Sequence, residues 1–434
     1  MKRIAAVALA FALLSPEVTE AATPQAPATA PPEKVGVSSE RLARVGTALR
    51  AEIEKGNLPG AVVLVARKGK IAYFEAFGYL DKAAGKPMTR DAIFRVYSMT
   101  KPWVSAVAMM LVEEGRIQLT DPVSKYLPSI KGLQVAVAKR EGSGEVTYAM
   151  VAAEREATIQ DLLRHTAGFA YDFVTKNAAV KDAYEKASLK SLDPVFLTLT
   201  SAEIVERFSK APLAYQPGTT WEYSFATDIL GRVIEAVTGA RLSQVVEERL
   251  LRPLGMKDSG FVIPQEKTAR VAQPLPMDPA TGKPNVVFDL TVEPKNDSGG
   301  SGGVTTTMDY YRFAQMMANG GQLDGRRLLS RTTVALMTSD HLGTRIQAPV
   351  TPGELLMGVP GYTFGLGFMV RQGPGIAGVP GSAGEFMWAG YAGTFFWVDP
   401  KEELVAVFMT QAPGPSRQPY RRFIKALVQQ AIAD

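Results

Sequence analysis

An α/β fold of the α+β kind, one antiparallel sheet faced by helices with a mainly helical second domain beside it, is predicted by where strand patterns fall in this chain. A β-rich hairpin pattern occupies residues 61–79, short apolar strand patterns return after residue 360, and the stretch between them reads as helices and connecting loops. Strands at both ends of a helical middle imply one sheet assembled from the two termini. The division this predicts is an α/β domain from residues 35–110 and 300–434 and a mainly helical domain from 111–299. With 434 residues and 46% hydrophobic content, the chain can bury one large core or two medium ones.

Taken in order, Met1-Lys2-Arg3, the apolar run Ile4 to Leu14 and then Thr19-Glu20-Ala21 supply the charged, apolar and small-residue parts of a signal peptide over residues 1–21. Its apolar run is too short to span a bilayer. A periplasmic or secreted mature protein is expected, and loss of Lys2, Arg3, Glu17 and Glu20 leaves the net charge at +5. Residues 22–34 are Pro/Ala-rich and predict a flexible or polyproline leader. Ser38 or Ser39 caps a helix over 40–55. Ala61 to Arg67, the basic turn Lys68-Gly69-Lys70 and Ile71 to Tyr79 form the first hairpin. Pro102 to Val112 is long and uncharged, with Pro102 in a first turn where a missing N–H costs nothing, so it reads as a buried helix.

A second hairpin is expected near 133–152, around Glu141-Gly142-Ser143-Gly144. Phe225 to Thr238 carries Ile229, Leu230, Val233, Ile234 and Val237 on one helical face and stops at Gly239. Gly299 to Gly303 reads as a loop feeding an amphipathic helix that starts at Thr307 and ends at Gly320-Gly321, with Phe313, Met316 and Met317 inward. Phe364 to Val370, Glu385 to Ala389, Thr394 to Val398 and Leu404 to Thr410 read as strands. A helix opened by Pro419 closes the chain, its Tyr420, Phe423, Ile424, Leu427, Val428 and Ala431 forming an i, i+3, i+4, i+7 stripe.

Composition removes several chemistries. The absence of cysteine excludes disulfides, a thiol nucleophile and Cys-ligated zinc, and two isolated histidines, His165 and His341, leave little for a transition-metal site. No Lys/Arg cluster argues for nucleic acid. No cofactor is called for.

The chain's single Ser-x-x-Lys, Ser98-Met99-Thr100-Lys101, stands where the buried helix begins. Positions i and i+3 share a helix face, so a hydroxyl and an amine point at one spot. Serine needs a base, and burial at the positive end of a helix lowers a lysine's pKa enough for it to serve. Tyr223, on a turn just before the helix that starts at Phe225, is the candidate proton relay. Phe386-Met387-Trp388-Ala389-Gly390-Tyr391-Ala392-Gly393 is a strand entering a Gly-rich turn, where small residues let a substrate approach the backbone and a main-chain N–H can complete an oxyanion hole with that of Ser98. Gly299-Gly300-Ser301-Gly302-Gly303 matches Gly-x-Ser-x-Gly, but no organised acid and histidine follow it, so Ser301 reads as a loop residue. His165 is expected to bond backbone carbonyls in a tight turn.

Ser-x-x-Lys, a Tyr before a helix about a hundred residues on, and a Gly-rich turn on a late strand resemble, in that order, the serine β-lactamase and penicillin-binding protein superfamily. Asp161 to Gly168, Gln216-Pro217-Gly218, Gly231 to Gly239, Pro253-Leu254-Gly255-Met256 and Gly299 to Thr307 are similar to class C β-lactamases and their esterase relatives, over nearly all of 35–434. Class C enzymes carry Tyr-x-Asn and Lys-Thr-Gly; here the corresponding positions hold Phe225 and Trp388-Ala389-Gly390. Trp in that slot is similar to the family VIII carboxylesterases. The resemblance implies an antiparallel sheet of roughly five strands or more, no cofactor, Ser98 as nucleophile, Lys101 as base, Tyr223 as relay, and N–H donors from Ser98 and Tyr391. A small-molecule ester substrate is expected, with Trp388, Gly390 and Phe225 as substrate-binding residues, of which Trp388 and Phe225 make an apolar wall suited to a neutral acyl or alcohol group. A class C-like β-lactamase or D,D-peptidase, and a non-catalytic sensor on the same fold, are the alternatives.

Overall fold

The computed structural model describes residues 24–434 apart from Glu141, Ser143, Glu145 and residues 191–193. The expected signal peptide lies outside the described residues. Fourteen strands follow in chain order: β1 (Gly60–Arg67), β2 (Lys70–Asp81), β3 (Lys86–Pro87), β4 (Ile93–Tyr97), β5 (Gln134–Arg140), β6 (Val146–Ala152), β7 (Gly303–Thr306), β8 (Gln322–Leu323), β9 (Arg326–Arg327), β10 (Tyr362–Phe364), β11 (Met369–Arg371), β12 (Phe386–Ala389), β13 (Phe395–Asp399) and β14 (Leu404–Thr410). Eight of them form one antiparallel sheet in the order β10-β11-β12-β13-β14-β1-β2-β3.

The two ends of the chain meet at the β1–β14 seam, in register from Ala61 opposite Thr410 to Arg67 opposite Leu404. Every residue of β1 is buried, so both faces of the sheet are covered there, which explains why Gly-Ala-Val-Val-Leu-Val-Ala runs apolar without alternation. Helix Ser39–Glu54, capped by the Ser38 side chain accepting from the Arg41 N–H, packs on β1 and β2 and against the terminal helix Arg417–Gln429. Helix Thr307–Ala318 packs on β13, β14 and β1. The buried helix Thr100–Glu113 packs against helix Ala226–Thr238.

Four expectations change. Residues 364–370 are not one strand: β10 and β11 pair across Gly365 to Phe368, where Gly367 takes a positive φ of 92°. The leader is not free where it is described, because Ala30 N–H donates to Ile71 O, Ile71 N–H donates to Ala28 O, and Arg312 donates to the Gln25 carbonyl. Backbone bonding to a sheet edge is invisible in a Pro/Ala composition. The Gly-rich stretch does not feed its helix directly, since β7 intervenes and pairs with β4. The terminal helix opens at Arg417, two residues ahead of Pro419. The second hairpin does form, with β5 and β6 paired from Gln134 opposite Ala152 to Arg140 opposite Val146.

Candidate active site

Strand β4 ends one residue before Ser98 and the serine helix begins two residues after it. The turn between is strained: Tyr97 holds a left-handed φ of 43°, costly for a bulky side chain. Thr100 sustains it, its hydroxyl donating to the Tyr97 carbonyl at 2.6 Å and accepting the Gly303 N–H at 2.8 Å. The β4–β7 pair and the Gly-rich loop therefore hold the backbone around Ser98.

Lys101 is 1% exposed, with Nζ 3.5 Å from Ser98 Oγ. Two firmer contacts orient it, to the Tyr171 hydroxyl at 3.0 Å and the Gly300 carbonyl at 2.8 Å. Burial pushes its pKa down to about 7, against the opposing pull of the Asp228 charge. Asp228 in turn accepts the Gly300 N–H at 3.0 Å and the Ser298 hydroxyl at 2.6 Å. A Cβ at position 300 would fall 2.3 Å from Asp228 Oδ2 and 2.9 Å from the Tyr171 oxygen, so the loop needs glycine there. Ser301, 3.0 Å from Ser298 Oγ, belongs to this supporting loop.

Tyr223 is buried, its ring 4.6 Å below Lys101 Nζ. Its hydroxyl forms no well-aligned hydrogen bond, although the Ser98 and Trp388 side chains lie close enough to draw its pKa down. Burial outweighs them and raises it. The Nδ1 of His165 sits 3.1 Å from Ser224 Oγ rather than on a backbone carbonyl, and its ring packs edge-on against Tyr223 at 4.9 Å. His341 pairs with Gln160 and the Leu336 carbonyl.

Ser98, Tyr223, Trp388, Gly390 and Tyr391 line one narrow cavity of about 60 Å³. Gly390 is small for a different reason than substrate access: a Cβ there would lie 2.4 Å from the Val96 carbonyl, so the late strand rests directly on the backbone leading to Ser98. That contact brings Tyr391 beside the serine.

Phe225 does not share this wall. It is buried behind it, ringed by Tyr171 at 4.5 Å, Phe208 at 5.2 Å and Phe196 at 5.3 Å. Nor is the cavity neutral, since Arg417 and Arg421 line it as well. Of the three residues that act on Lys101, Tyr171 and Asp228 carry no signal in the sequence, and Gly300 is legible there only as part of a Gly-rich loop. Tyr171 stands just past the quoted Asp161–Gly168 phrase, and nothing short of the tertiary fold places it against Lys101.

Comparisons with known proteins bear on the family and the fold. Residues 45–430 match the family model described as Beta-lactamase. Protein Rv1367c of Mycobacterium tuberculosis is 33% identical over 84% of this chain and 88% of its own length. Esterase EstB of Burkholderia gladioli is 31% identical over 85% of this chain and 90% of its own. Among solved structures, EstCE1, a hydrolase with promiscuous acyltransferase activity, superposes with a TM-score of 0.71 at 26% identity, covering 90% of this chain and 98% of that one. With its antiparallel sheet, flanking helices and a match spanning nearly the whole folded body, the chain belongs to the Beta-lactamase family.

Proposed function

We propose that this protein is a serine carboxylesterase of the family VIII kind, hydrolysing short-chain carboxylic esters through an acyl-enzyme on Ser98. The observation that carries the reading is a buried Lys101, its pKa lowered to about 7, within 3.5 Å of Ser98 Oγ. Neutral Lys101 takes the Ser98 proton as Oγ attacks the ester carbonyl, and the oxyanion is held by the N–H groups of Ser98 and Tyr391. Tyr223 passes a proton to the departing alkoxide, and water then cleaves the acyl-enzyme by the same route in reverse. Tyr171 and the Gly300 carbonyl act as positioning groups for the amine. EstB, a relative named as an esterase, supports the substrate class.

A lysine base must be uncharged to accept a proton. Because burial lowers its pKa to about 7, kcat/KM for p-nitrophenyl butyrate should rise about tenfold per pH unit below 7 and level off above it. A profile flat from pH 5 to 8 would contradict Lys101 as base.

Trp388, an uncharged indole lining the Ser98 cavity, offers no charge-assisted hydrogen bond to a lactam carboxylate. Steady-state kinetics should therefore show kcat/KM for p-nitrophenyl butyrate at least about tenfold above that for a cephalosporin, with lactam hydrolysis a secondary activity. The reverse order would favour the β-lactamase alternative.

Export completes the proposal. The motivation is the charged, apolar and small-residue pattern of residues 1–21. N-terminal sequencing of the fractionated native protein should begin at or near Ala22 and find it outside the cytoplasm; intact Met1 in the cytosol would refute this.

A further inference from the structure

Strand β6 presents an open edge far from the Ser98 cavity. Among the described residues the β5–β6 ribbon is a sheet of two strands, paired without a bulge from Gln134 opposite Ala152 to Arg140 opposite Val146. The outer edge of β5 is covered: Ala136 N–H donates to Leu213 O at 2.9 Å, Leu213 N–H donates to Gln134 O at 2.8 Å, and the Asn177 side chain donates to Ala136 O at 2.8 Å. The main-chain groups of Gln134 and Ala136 thus point away from β6, and those of Val135 and Val137 point toward it. By the same alternation Ala149 and Val151 bond back to β5, while Val146, Tyr148 and Met150 turn their N–H and C=O groups outward.

Among the described residues no hydrogen bond from outside the ribbon reaches the main chain of Tyr148 or Met150. Gln216 meets only the far end, its side chain donating to Ala152 O at 3.2 Å. Edge strands are ordinarily blunted by lysine, proline, a bulge or brevity. β6 has none of these, for Val-Thr-Tyr-Ala-Met-Val-Ala is seven residues long, uncharged and rich in strand formers. Its apolar side chains are exposed too, Met150 by 47%, and Val137 opposite Ala149 by 40%. A lone two-stranded ribbon is marginal in water, and further strands stabilise it.

The strand is matched to its own copy. With a two-fold axis at Ala149, the middle of β6, Tyr148 of one copy opposes Met150 of the other, and each such pair exchanges two N–H···O bonds. Ring and thioether then meet side by side, a favourable contact. Ala149 faces its symmetry mate in the narrow, non-hydrogen-bonded position, where Cα atoms lie about 4.5 Å apart and a small side chain fits. No like charges oppose each other along the strand. The axis stands perpendicular to the sheet, so helix Ala178–Lys186, whose first N–H donates to the Tyr148 hydroxyl at 3.1 Å, lies on the same side of both ribbons. We propose that this edge is a homodimer interface, in which β6 pairs antiparallel with β6 of a second copy to make one four-stranded sheet. Neither strand lines the Ser98 cavity, so each copy keeps its own site.

The chain has no cysteine, so a single introduced thiol reports the axis in the whole enzyme. Under mild oxidation Ala149→Cys should form a disulfide-linked dimer, because a non-hydrogen-bonded antiparallel pair falls within the Cα separation a disulfide spans. Val151→Cys should not, as its Cα stands about 13 Å along the strand from its mate. Sedimentation velocity should show a concentration-dependent dimer of wild type in the micromolar range. Met150→Pro should raise its dissociation constant at least about tenfold, since each copy loses an outward donor. The monomer should keep its wild-type circular dichroism, because that N–H bonds nothing in the single copy. A wild type that stays monomeric throughout that range would overturn the interface and leave the edge to an extended segment of another protein. A dimer untouched by Met150→Pro, or Val151→Cys cross-linking as readily as Ala149→Cys, would overturn it as well.

Discussion

Ser98→Ala should reduce ester turnover by a factor on the order of 10⁴ or more, to near the uncatalysed rate, with the fold unchanged by circular dichroism. The loss is this large because the hydroxyl supplies the bond that defines the intermediate, and no nearby group replaces it. Ser301 cannot: its Oγ bonds Ser298 in the loop that carries Lys101's acceptor, and it does not line the cavity. Ser301→Ala should thus retain most activity. Equal losses in the two variants would mean that the Gly-Gly-Ser-Gly-Gly loop contributes more than support.

Lys101→Ala and Tyr223→Phe should each lower kcat by roughly 10²- to 10⁴-fold, the range of a positioned acid or base. The two losses differ in kind. Lys101→Ala removes the group whose pKa burial lowers to about 7, so the rise of kcat/KM through neutral pH should vanish with it. Tyr223→Phe should keep that rise at reduced amplitude, because burial raises the phenol's pKa and leaves it protonated throughout. Lys101→Ala with kcat within a few-fold of wild type would remove the amine from the mechanism.

The parts of the fold that were legible are those where local pattern and tertiary burial agree. The 61–79 hairpin, the helix ending at Gly239 and the strand at 404–410 each carry a periodicity or a turn residue that admits one reading. β4 and β7 were missed, being short strands whose pairing spans more than two hundred residues. The Gly365-Leu366-Gly367 turn was passed over because its apolar neighbours continue the strand pattern. At the site, Ser98 and Lys101 were visible because their spacing is helical, and Tyr223 and Tyr391 because turns mark them. Phe225 was placed on the wall by its position in a motif, whereas packing turns its ring into the cluster with Phe196 and Phe208. Arg417 and Arg421 carry no signal, since an i, i+4 arginine pair at a helix start reads as a solvated face until the fold turns it into the cavity.

The most direct measurement for the central assignment is covalent trapping. A fluorophosphonate should add one equivalent to the intact protein, with tandem mass spectrometry placing the adduct on Ser98, and p-nitrophenyl butyrate present during the reaction should slow it. No adduct would mean that the protein binds without catalysing, and an adduct on Ser301 or any other residue would contradict Ser98 as the nucleophile.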